Sequence, residues 1–232
     1  KSKPGNSNER KYVPALCQII CPEGTGTGFF IAFKLNSNKV MTGLVTNNHV
    51  LKKENLCKQQ SFIIKFDANN QTKKIILDDR RFRFTYKSNN LDITFIGFSP
   101  NELPSGVVFL KPKYSTVNNM NAYIIQHPGG EECSYARGKV LNKNGVNIIH
   151  QISTMPGSSG SPILDEEGYV IGIQKDEVPY FCRFNSVDDL TSCFEQASNI
   201  IPNENYNYGT SIECLCILAN NLVSKNIIFG YD

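Results

Sequence analysis

No run of about twenty apolar residues occurs anywhere in the 232 residues, which excludes a membrane-spanning helix of ordinary length. The net charge is only +3, so the surface as a whole is no nucleic-acid footprint, and no nucleic-acid partner is expected. Internal repeats and low-complexity tracts are absent. The glycine-rich run Gly24-Thr25-Gly26-Thr27-Gly28 lacks the lysine-bearing helix pattern that a phosphate loop needs. Helical periodicity is scarce as well: a candidate helix runs from Ser186, as N-cap, to Ala197, with a short one toward the C-terminus.

Strand-length apolar runs separated by Gly, Asn, Asp or Pro make up the rest. They are Leu16 to Ile20, Gly28 to Phe33, Leu44 to Val50, Phe62 to Phe66, Lys74 to Leu77, Phe82 to Tyr86, Leu91 to Phe98, Ala122 to Gln126, Val146 to Ile152, Tyr169 to Ile173 and Ile212 to Leu218. The fold class is therefore all-β. Strand rhythm breaks between Ser99 and Asn121, at Pro100, Pro104, Gly106 and Pro112, which divides the chain into an N-terminal unit over 15–110 and a C-terminal unit over 111–232. Residues 1–14 read as an extended lead, and 176–209 as an inserted loop beside the C-terminal unit. The basic stretch Arg80-Arg81-Phe82-Arg83 with Lys87 alternates at strand period, as a solvated sheet face would.

The eight cysteines invite a disulfide reading, but reduced thiols and an intracellular location are expected. Cys214 and Cys216 are expected on one face of a strand, and Cys17 with Cys21 has no second pair at zinc-site spacing, so no metal is expected.

The chemistry gathers at Pro156-Gly157-Ser158-Ser159-Gly160-Ser161-Pro162, a serine held in a small-residue turn between apolar runs. A serine nucleophile needs a base, a group that orients the base, and backbone N–H groups facing the oxyanion. Of three histidines, His127 lies in the turn signal His127-Pro128-Gly129-Gly130 and His150 ends a strand-like run, so both read as structural or pocket-lining. His49, where the apolar run from Leu44 meets a polar step, is the candidate base, and Asp92, interrupting an apolar strand, is the candidate orienting acid. The glycines around Ser159 favour a backbone whose amides at Gly157, Ser158 and Ser159, chiefly the first and last, line an oxyanion hole. Ser161 stands where an α/β-hydrolase elbow requires glycine, and strand follows where that fold requires helix.

His49, Asp92 and Ser159, in that chain order, resemble the trypsin-like serine peptidases of the chymotrypsin fold. Val45 to Val50 is similar to the histidine motif of the HtrA (Deg) branch, Leu91-Asp92-Ile93 to its aspartate motif, and Gly157 to Pro162 to the G-x-S-G-x-P nucleophile turn. The resemblance spans roughly Gly24 to Leu222 and implies two six-stranded antiparallel β-barrels with the active-site cleft between them and a few short helices. It implies a serine endopeptidase with a protein or peptide substrate and no cofactor. A catalytically silent peptide-binding module is the alternative.

Ser158 stands where digestive trypsins carry an aspartate that pairs with a new N-terminus, so activity is expected to depend on loop order, a regulatory partner or self-association. A PDZ domain does not fit after Asp232, and any such module is expected outside this sequence. One wall of the primary pocket is assigned to Ser153, Thr154 and Met155, the other to the strand carrying Ile173, Gln174 and Lys175. Glutamate-specific relatives carry a histidine where Gln174 stands, so a small or medium apolar side chain is expected there, with Lys175 or His150 as the groups that could restore acidic preference.

Overall fold

The computed structural model describes residues 10–88, 91–114, 117–175 and 206–232. The candidate helix from Ser186 to Ala197 and most of the inserted loop lie outside the described residues.

Among the described residues, seven strands build the N-terminal half: β1 (Leu16–Cys21), β2 (Gly24–Lys34), β3 (Val40–Thr46), β4 (Ser61–Phe66), β5 (Thr72–Ile76), β6 (Arg83–Tyr86) and β7 (Ile93–Gly97). Six more, β8 (Met120–Gln126), β9 (Ser134–Asn144), β10 (Asn147–His150), β11 (Pro162–Asp165), β12 (Val170–Gln174) and β13 (Asn207–Ser211), close into a barrel in the order β10-β13-β12-β11-β8-β9. A helix, α1 (Glu213–Ser224), then leads to β14 (Phe229–Tyr231), which pairs in parallel with β6. The first sheet therefore has eight strands, in the order β14-β6-β7-β3-β2-β1-β4-β5, rather than the six expected.

Period-two burial explains how one long strand serves two cores. Along β2, Phe29, Ile31 and Phe33 enter a core shared with Tyr123, Ile125, Leu164 and Ile173 of the barrel. Phe30 points the other way, into the interior of the first sheet, where it stacks on Phe66 at a centroid distance of 5.8 Å. Each such ring contributes about 1.5–3 kcal/mol when fully buried. A third core of Ile124, Val140, Ile148, Ile163 and Ile171 fills the closed barrel. The crossover between the halves hydrogen-bonds to β2 through Leu110 and then to Val170 of β12 through Lys111 and Lys113.

Three local expectations are corrected. Ile212 to Leu218 is not a strand: Ile212, Leu215, Ala219 and Leu222 recur at helical spacing and turn one face of α1 into the shared core. Cys214 and Cys216 thus lie on a helix. Arg83 is not on a solvated face; it is buried, donating to the carbonyls of Leu56, Asp78 and Arg81 and lying 4.4 Å from the Phe229 ring. Residues 10–14 are no loose lead, because Tyr12 and Val13 pack on the shared core and the Tyr12 hydroxyl donates to the Glu167 carbonyl.

Candidate active site

His49 follows the end of β3 in a helical turn in which Val50 and Leu51 donate to the Asn47 carbonyl. That turn rests on a threonine pair: Thr94 donates to the Leu51 carbonyl at 2.9 Å, and the Thr85 and Thr94 hydroxyls meet at 2.6 Å. Asp92 stands one residue before β7 rather than inside the strand, at φ +44°. This left-handed position, which aspartate tolerates better than most residues, turns its carboxylate back toward the histidine. One oxygen lies 2.8 Å from His49 Nδ1 and the other accepts the His49 backbone N–H at 3.1 Å. A carboxylate only accepts, so Nδ1 carries a proton, and in the neutral ring the lone pair sits on Nε2.

Ser159 arrives from the barrel, and Thr27 of β2 receives it. The Thr27 N–H donates to the Ser159 carbonyl at 2.9 Å, its hydroxyl donates to the Gly157 carbonyl at 2.8 Å, and its own carbonyl accepts the Thr46 hydroxyl at 2.8 Å. Thr46 is three residues before His49, so one side chain and its backbone join the serine turn to the histidine turn. The approach requires glycine at 160: a Cβ there would sit 2.1 Å from the Thr27 carbonyl oxygen, and its φ is +88°.

The backbone beside the serine is oriented from outside. The Pro156 carbonyl accepts the Gly129 N–H at 2.5 Å, and because carbonyl and N–H point oppositely across a trans peptide, the Gly157 N–H points away from the 127–130 loop. Gly157 has φ +92°, and a Cβ on it would lie 2.6 Å from the His127 carbonyl. The Ser158 amide is a correction to the expected set: it donates to the Met155 carbonyl at 3.0 Å, closing the turn that carries the serine.

The expected pocket residues fall into two groups. Ser153 and Met155 are exposed and Thr154 is buried. Gln174 adjoins the serine turn through its backbone, accepting the Gly160 N–H at 3.0 Å and donating to Ser161 at 2.8 Å. Ile173, by contrast, fills the shared core, and the Lys175 ammonium donates to Asn147 at 2.7 Å. Neither presents its side chain as a pocket wall here, since each is drawn to a partner in the packed body of the protein. His150 is buried and neutral. Its Nδ1 accepts the Ile152 N–H at 3.2 Å and its Nε2–H donates to Gln174 at 2.7 Å, while burial pushes its pKa down to about 4 against the gain from that bond.

Thr27, Thr46 and Asp67 are missed by motif reading. Asp67 lies 2.7 Å from His127 Nε2 although the two are sixty residues apart, and it reads in sequence as an ordinary turn residue. Thr27 has one usable signal, its place between two glycines in a strand that must be approached closely.

Residues 26–173 match the family described as Trypsin-like peptidase domain. The glutamyl endopeptidase of Staphylococcus aureus (strain MW2) is 30% identical over 106 residues, which span 42% of this chain and 32% of that protein. In solved structures, the fold is similar to a serine endoprotease from Yersinia pestis, with a TM-score of 0.63 at 14% identity over 97% of this chain and 69% of that one. It is also similar to an inactive form of Rv3671c from M. tuberculosis H37Rv, with a TM-score of 0.58 at 12% identity over 95% of each chain. A human astrovirus serine protease gives 0.55 at 17% identity, over 88% of this chain and 93% of that one. The family match covers well over half of the sequence, and this chain belongs to the trypsin-like peptidases.

Proposed function

We propose that the chain is a serine endopeptidase in which Ser159 attacks the scissile carbonyl. The proton of its hydroxyl passes to His49 Nε2 and then to the leaving amine, while Asp92 holds the ring and stabilises its cationic form. The oxyanion is met by the N–H groups of Gly157 and Ser159, each such donor being worth about 3 kcal/mol in comparable sites. Water then repeats the sequence to release the acyl group. The observation that carries this reading is the Asp92 carboxylate, which grips both the ring and the backbone of His49 and so selects the tautomer that a base requires.

The histidine motif supports a place near the HtrA branch, and the thiol state of the six described cysteines supports an intracellular setting. A regulatory partner or self-association remains part of the proposal. Although the matched relative is named a glutamyl endopeptidase, we assign an uncharged P1 side chain. Beside the serine turn, Gln174, which stands where glutamate-specific relatives carry a histidine, is paired with a neutral His150, and the Lys175 ammonium is engaged by Asn147.

A tagged fluorophosphonate tests the reaction. Labelling is expected in the native chain and lost in Ser159→Ala and His49→Ala. Absence of labelling at every pH, with peptide binding retained, would replace the peptidase with a binding module. Cleavage of a peptide library reads the P1 preference, and cuts confined to Glu would overturn that assignment.

A further inference from the structure

We propose that His127 is a positioning residue for the oxyanion peptide, a cationic imidazole that locks the 127–130 loop against Pro156–Gly157 and so sets an alkaline limit on activity. The proposal rests on the serine peptidase reading above.

The charge follows from hydrogen-bonding capacity. His127 Nδ1 lies 2.9 Å from the Glu131 carbonyl oxygen and Nε2 lies 2.7 Å from the Asp67 carboxylate. A carbonyl never donates, and a carboxylate is a far weaker base than imidazole, so both ring nitrogens hold protons. Burial opposes that charge, but the hydrogen bond and charge of Asp67, with the Glu131 carbonyl, outweigh it and raise the pKa of the ring. Lys65 on β4 opposes the cation, and the Cys133 and Cys17 thiols near Asp67 are pushed up by burial, Cys133 to about 12, and stay neutral.

The loop so held touches the catalytic turn directly. The Gly129 N–H is the group that takes the Pro156 carbonyl, while the His127 N–H donates to the Thr27 hydroxyl at 3.2 Å, which in turn donates to Gly157. Gln18 of β1 anchors the far side, donating to the Gly130 carbonyl at 2.7 Å. Asp67, at the end of β4, thus reaches across from the first sheet to fix a loop of the barrel, and through that loop the direction of the Gly157 N–H. A histidine whose folded pKa is raised makes its full contribution below the ordinary imidazole pKa of about 6.5 and loses it as pH rises through the folded value. Deprotonation leaves Nδ1 or Nε2 facing an acceptor without a proton, and the clamp slackens.

The test pairs the pH profile of fluorophosphonate labelling with the ring ¹⁵N shifts of His127. In the native chain the labelling rate is expected to rise as His49 deprotonates and to fall again at alkaline pH. In Asp67→Asn the alkaline fall should move toward neutral pH with the acid limb unmoved, and the rate at the native optimum should drop about tenfold or more, a part of the 10²–10³ lost when an oxyanion donor is removed outright. Asp67→Glu should restore much of the alkaline limb. Identical alkaline limbs in native chain and Asp67→Asn would overturn the proposal. So would ¹⁵N shifts showing a singly protonated His127 at neutral pH in the native chain, a measurement that needs neither a variant nor activity. A native chain that never labels would count against the peptidase reading alone, leaving the shifts to decide this one.

Discussion

His127 and His150 are both buried, yet the seam between the two halves charges one and the barrel interior keeps the other neutral. Both pay desolvation, so burial does not separate them; the partners do. At the seam, His127 finds a carboxylate and a carbonyl, and its pKa rises. Inside the barrel, His150 finds an amide N–H and an amide oxygen, one group for each nitrogen of a neutral ring, and its pKa falls to about 4. The seam brings polar groups from distant strands together, whereas His150 meets one donor and one acceptor that match a neutral ring.

Substitutions can break that contrast, beginning with the largest effect. Gly160→Ala strikes the seam, since its Cβ would collide with the Thr27 carbonyl and the Thr46 hydroxyl. Labelling should fall by about a hundredfold or more, with about 2–4 kcal/mol lost from stability in chemical denaturation. Gly172→Ala is its counterpart in the barrel, where the nearest atom is the mobile end of Ile148 at 2.6 Å. A cost of about 1–3 kcal/mol with labelling retained is expected, and an effect on labelling equal to that of Gly160→Ala would erase the distinction.

The barrel histidine has its own pH signature. A neutral group whose pKa drops from 6.5 to about 4 on folding lets the unfolded chain bind the extra proton, so stability is lost as pH falls through that window, by about 3 kcal/mol in all. Thermal melting should show this acid-side decline. Gln174→Glu would give His150 a carboxylate like that of His127 and should flatten the decline, at a cost in stability at neutral pH; an unchanged slope would mean that another group sets it. Thr27→Val removes the hydroxyl between His127 and Gly157, and should slow labelling about tenfold while costing about 1–3 kcal/mol. Asp232→Asn should act least. Its carboxylate accepts the N–H groups of Lys87 and Ser88 on the approach to Asp92, at 3.0 and 2.6 Å, and about 1 kcal/mol or less in thermal melting is expected.

The strands around the site were legible wherever one face is buried. Phe62, Ile64 and Phe66 alternate cleanly, and β4 is found within a residue of its expected bounds. The strand β9, with Arg137, Lys139 and Asn142 exposed, carried no such alternation. The end of the chain was misread because Ile212 to Leu218 is too short to separate period two from period 3.6 until Ala219 and Leu222 are included. His49 and Asp92 stood out because an ionisable residue beside apolar strand residues must find a partner. Asp67 did not, because a carboxylate in a turn needs none.

Residue order alone determined that this chain would be a β protein with a serine turn, one well-placed histidine and one exceptional aspartate, since periodicity and the cost of burying charge act locally. Tertiary structure decided which protons those groups hold. The state of an imidazole depends on the atoms within about 3 Å of its nitrogens, and for His127 one of those atoms belongs to a residue sixty positions away.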